Sequence, residues 1–190
     1  MVAVFNVMLD TAGTDATPGS ETITTNVRHK SADDNTQDTN NPCVVPAAGT
    51  NYSYWRQIYL QCTTGPDTQV DNIKFYTDGT LGWGVGITMM VGNETPTKNS
   101  GSNAGYEVAT GTPGTSGDEM VGAHAGLTGS TDVFSYTSGA SKSVSISEAG
   151  SIINAIGEMC NYIILQLNIA TTATSGTKAT ETLTFQYDEI

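Results

Sequence analysis

The stretch Cys160 to Ile190, CNYIILQLNIATTATSGTKATETLTFQYDEI, decides the fold class. Ile163, Leu165, Leu167 and Ile169 recur at every second position, which places them on one face of an extended strand. Leu183, Phe185 and Tyr187 alternate in the same way with Thr182, Thr184 and Gln186. Strict alternation predicts one buried and one wet face. Between the two runs, residues 171–178 are Thr, Ala, Ser, Gly and Lys, which suits a short connection. The end of the chain therefore reads as two strands that close an antiparallel sheet.

Working outward, the same signals repeat. Strands are expected over residues 2–9, 21–28, 52–62, 69–76, 83–91, 132–136 and 142–147, with turns at Gly65-Pro66-Asp67 and Asp78-Gly79. Ile152, Ile153 and Ile156 suggest a single helical turn within 148–158. About nine short strands with no long helix and no internal repeat predict one all-β domain over residues 1–190. Its architecture is an antiparallel β-sandwich, with immunoglobulin-like and jelly-roll topologies both open. Phe5, Ile58, Leu60, Phe75, Ile163, Leu165, Leu167, Leu183 and Phe185 form the expected core.

Residues 92–131 stand apart as a long Gly/Ser/Thr-rich excursion with few apolar residues. A segment of this length is too poor in apolar side chains to fold on itself and too long to be an idle turn. It is expected to add little to the core and to meet a neighbouring subunit, with Tyr106, Val108, Met120 and Val121 as the contact residues.

Composition narrows the function classes. The chain carries 7 Lys+Arg against 19 Asp+Glu, a net charge of −12, so a basic footprint for nucleic acid is absent. No run approaches the ~18 apolar residues of a membrane-spanning helix, so no membrane insertion is expected. The N-terminus lacks a basic, then apolar, leader pattern and reads directly as a strand, the expectation being synthesis in the cytoplasm. Cys43, Cys62 and Cys160 show no paired spacing, which favours buried free thiols over a disulfide framework, with a single Cys43–Cys62 bridge left open.

Catalytic signals are weak. His29 and His124 lie in no metal-ligand spacing, and there is no G-x-S-x-G elbow. The run Gly111 to Asp118 has no lysine and ends in acid, unlike a phosphate loop. The reading is a non-enzymatic protein with no cofactor. Asp33, Asp34 and Asp38 are the best cation candidates, three closely spaced carboxylates that suit a weak Ca²⁺ site. Tyr52, Tyr54, Trp55 and Tyr59 read as core first and as a sugar-stacking platform second.

Asn51-Tyr52-Ser53-Tyr54-Trp55-Arg56-Gln57-Ile58-Tyr59-Leu60, then Asp71-Asn72-Ile73-Lys74-Phe75-Tyr76-Thr77-Asp78-Gly79, together with the ending Tyr162 to Ile190, carry a resemblance. In these segments, roughly half of the chain, it resembles β-sandwich structural proteins of tailed-phage particles, of the head-decoration or tail-associated type. The resemblance implies a non-enzymatic virion subunit, made in the host cytoplasm and present in many copies. Its partners would be copies of itself, in an oligomer or lattice, and a capsid or tail protein. Two other readings stay open: a subunit of an extracellular filament or surface layer, and a carbohydrate-binding β-sandwich module.

Overall fold

The computed structural model describes residues 2–190. Strands β1 (Val4–Thr14), β2 (Thr17–Ile23), β3 (Thr50–Tyr52), β4 (Arg56–Thr64), β5 (Val70–Tyr76) and β6 (Ile87–Gly92) precede the excursion. Within or after it come β7 (Gly111–Thr112), β8 (Ser116–Gly117), a one-turn helix α1 (Met120–Ala123), β9 (Ser130–Asp132) and β10 (Lys142–Ser143). The closing strands are β11 (Ile163–Ala170) and β12 (Thr184–Glu189). All pairings between these strands are antiparallel.

They form two sheets that pack as a sandwich. In the larger, β11 is central: β4 and then β3 run along one of its edges and β6 along the other. β1 and β2 extend the sheet beyond β4, and β9 extends it beyond β6. The smaller sheet has the order β10-β5-β12. Cross-strand partners point to the same side. The pairs Leu9–Ile58, Ile58–Ile163, Leu165–Val91 and Leu167–Met89 therefore define one continuous apolar face. The smaller sheet packs on it, with the rings of Phe5 and Tyr187 at 4.8 Å.

The expected alternation of wet and dry residues fails in β11. Residues 163–167 are all buried, so both faces of this strand are covered. The reason is the excursion, which lies against the second face. There the pairs Met8–Tyr59 and Gln57–Ile164 point away from the smaller sheet. Tyr106 is tucked beside Tyr162, with ring centroids 6.3 Å apart. The expectation that 92–131 adds little to the core is therefore corrected: Tyr106, Ala109, Met120 and Leu127 are all buried.

Of the expected core, Ile58, Leu60, Phe75, Ile163, Leu165 and Leu167 are buried. Phe5, Leu183 and Phe185 are half-buried instead. Phe5 lies at one end of the sandwich, and Leu183 and Phe185 border a cleft where the sheets diverge. The strand expected over 83–91 begins only at Ile87. Gly86 sits at φ +80°, and a Cβ there would come within 2.4 Å of the Ala173 nitrogen. That close approach needs glycine and ends the extended run. The helical turn expected within 148–158 is one 3₁₀ turn, Ala149–Ser151.

Candidate functional site

Four places bear on function: the acidic loop, the excursion, the cleft and one exposed end of the sandwich. In the acidic loop, Lys30 and Arg56 take the role that a metal would have. Asp34 Oδ1 and Asp38 Oδ1 lie 2.7 and 2.9 Å from Lys30 Nζ. Asp33 Oδ1 lies 3.2 Å from Arg56 Nη1, and its Oδ2 accepts from the Ala12 backbone N–H. The Lys30 ammonium holds Asp38 below the usual carboxylate range, while burial pushes Asp33 above it. Among the described residues no group of three or more His, Cys, Asp or Glu side chains is placed to hold a metal ion. The three Ca²⁺ candidates Asp33, Asp34 and Asp38 are each paired with Lys30 or Arg56.

Arg56 was not a sequence candidate, yet it organises this loop. Its side chain is fully buried. Nε donates to the Arg28 carbonyl, and Nη2 donates to the carbonyls of Ala32 and Asp34. The signal was present in the sequence. A lone arginine inside Tyr54-Trp55-Arg56-Gln57-Ile58 has to be buried with partners that satisfy its fork of donors.

In the excursion, His124 is 1% exposed. Its Nδ1 accepts from the Gly126 N–H, and its Nε2 faces Gln57 Oε1 at 3.3 Å. Burial lowers its pKa, so the neutral ring with the proton on Nε2 fits this network. Gln57 completes it by donating to the Glu107 carbonyl and accepting from the Glu107 N–H. Trp55 is 2% exposed beside His124 and donates to the same carbonyl, as a core tryptophan. The expected contact residues are committed here as well. Tyr106 and Met120 are each 1% exposed inside this chain, and Val108 and Val121 are half-buried. Tyr106 and Met120 thus belong to the chain's own core, while Val108 and Val121 keep part of their surface.

The cleft has a volume of about 1070 Å³ and lies between the sheets, lined among others by Ile58, Met89, Leu167, Trp83 and Phe185. His29 also lines it, and burial lowers its pKa to about 3. The three cysteines are free, so the Cys43–Cys62 bridge does not form. Burial raises the Cys43 thiol to about 11 and the Cys160 thiol to about 12, which leaves both as inert thiols.

The fourth place is exposed and apolar. Val2, Val4, Ile156 and Ile190 are 74%, 50%, 71% and 64% exposed. Hydrogen bonds and packing gather them at one end of the sandwich. Ala3 N donates to Glu189 Oε1, the Tyr187 hydroxyl donates to the Ala3 carbonyl, and Ile190 pairs with Gln69. The Val4 carbonyl accepts from the Thr63 hydroxyl, and Gly65 adjoins Ile156. Aliphatic side chains so exposed gain by being covered, and apolar patches of this kind mark interaction sites.

The fold and these sites define an all-β sandwich protein. No family model, curated protein or solved structure matches the chain. Among the described residues no helix is long and apolar enough to cross a membrane.

Proposed function

We propose that this protein is a non-enzymatic structural subunit of a virus particle, and that it docks through the exposed end formed by Val2, Val4, Ile156 and Ile190. The observation that carries the reading is that Val2, Val4, Ile156 and Ile190, four of the seven large hydrophobic side chains exposed among the described residues, lie on segments that hydrogen bonds join at that end. The pattern resemblance to phage sandwich proteins supplies the setting. The excursion has a supporting part: docked on the second face, it makes the sandwich a rigid three-layer body able to carry such a contact. Single contacts of this size are weak, so strength comes from many copies.

Val4→Lys combined with Ile156→Lys tests the assignment. Both side chains are exposed, so the thermal midpoint should stay within a few degrees of the parent, as surface changes usually do. Incorporation into particles, or self-association at high concentration, should fall at least ~10-fold, since ~1.4 kcal/mol suffices for that factor. A double variant that occupies particles fully would reject this end as the contact.

The cleft favours a second reading, a small-molecule or sugar-binding module, because its volume is that of a ligand pocket and Trp83 lines it. In that case an oligosaccharide should quench Trp83 and leave the buried Trp55 unaffected, which Trp83→Phe would show directly.

A further inference from the structure

A charged cluster is enclosed between the second face of the larger sheet and the excursion. Lys98 enters from the excursion and is 3% exposed. Its Nζ lies 2.7 Å from Glu21 Oε1 and 3.6 Å from Asp10 Oδ2, and it donates to Asn103 Oδ1. Two rings close around it, with Nζ 4.7 Å from the centroid of Tyr59 and 5.7 Å from that of Tyr162. Asp10 and Glu21 are cross-strand partners on β1 and β2. The Asp10 side chain is fully buried, its Oδ2 accepts from the Tyr162 hydroxyl, and its Oδ1 has no hydrogen-bond partner.

An amine, a carboxyl with one unengaged oxygen and a second carboxylate touching the amine are the parts needed to make an amide. We propose that Lys98 and Asp10 condense into an isopeptide bond, formed by the protein on itself, with Glu21 as the proton acceptor. Glu21 takes one proton from the Lys98 ammonium. The freed lone pair on Nζ attacks Cγ of the protonated Asp10 carboxyl. Negative charge develops on Oδ2, where the Tyr162 hydroxyl already donates. The Cγ–Oδ1 bond then breaks, and Oδ1 leaves as water with a second proton from Nζ. Glu21, whose side chain is 44% exposed, returns its proton to solvent. Ammonium and carboxylic acid thus become amide, water and one released proton, with no oxidant and no external reagent.

Burial supports the step in two ways. It raises the Asp10 pKa to about 6, so a protonated fraction is present near neutrality. It also makes two separate charges costly, and the amide abolishes both. The bond would tie the excursion covalently to β1, across 88 positions of sequence as the difference between 98 and 10 shows. This inference does not depend on the virion reading.

Intact mass of the purified full chain under denaturing conditions tests it. The expected mass is one water below that required by the sequence, and a peptide map should join the segment holding Asp10 to the one holding Lys98. Glu21→Gln should keep the fold, because its side chain is nearly half-exposed, and should accumulate chains of full mass. Full mass in the parent protein overturns the proposal and leaves an ion pair. A loss of one ammonia overturns it too, because that would place the bond on Asn103. Cross-linking of Glu21→Gln as complete and as fast as the parent's would remove Glu21 as the acceptor.

Discussion

Arg56→Ala should destabilise the fold by about 3–5 kcal/mol, the range for removing one partner of a buried, hydrogen-bonded ion pair. The arginine sits on β4 and donates to three carbonyls of the loop it organises, those of Arg28, Ala32 and Asp34, as well as to the Asp33 carboxylate. Truncation leaves these acceptors facing a hole that no other donor fills. It also leaves Asp33, already pushed up by burial, without its guanidinium. Lysine restores the charge but offers neither the planar fork nor the reach to several carbonyls, so Arg56→Lys should recover only part of the loss. Urea denaturation of the three proteins provides the comparison. Midpoints for Arg56→Ala and the parent that agree within error would mean that the loop holds without its arginine.

Deletion of residues 98–118 should abolish cooperative unfolding. The sequence-based expectation was the opposite, since the segment is polar and Gly-rich. In the fold, these residues meet Trp55, Tyr59 and Tyr162, all buried: Trp55 donates to the Glu107 carbonyl, Lys98 lies over Tyr59, and Tyr106 lies beside Tyr162. Fully burying one large apolar side chain is worth about 1.5–3 kcal/mol, so uncovering three would consume much of a stability that is typically about 5–15 kcal/mol. The same deletion removes Lys98 from beside Asp10 and Glu107 from beside Gln57. Tryptophan emission and thermal unfolding report both effects: the truncated chain should show red-shifted emission and a broad transition without a clear midpoint. A sharp transition with the parent's emission would show that the sandwich stands alone.

Several features were legible before any tertiary structure. The alternation of Ile163, Leu165, Leu167 and Ile169 put the right residues on the face that meets the smaller sheet, because a period of two is a local property of extended backbone. Trp55 read first as core, and it is buried. The acidic loop was legible as a charge cluster but not as a neutralised one. Lys30 is near in sequence, while Arg56 reaches Asp33 across 23 positions.

What the sequence determined by itself is the all-β class and most of the inner core, since strand periodicity and turn chemistry are written in neighbouring residues. The tertiary structure alone decided that the second face of the larger sheet is covered. That face is made of Asp10, Gln57, Tyr59, Tyr162 and Gln166, and it is satisfied by side-chain-to-backbone bonds such as Gln57 to Glu107, Gln166 to Asp118 and Tyr106 to Ala12. Those partners are 48 to 94 positions apart. A polar loop facing water and a polar loop facing a polar sheet have the same composition. Only the folded chain, by bringing donor and acceptor within hydrogen-bond distance, separates the two.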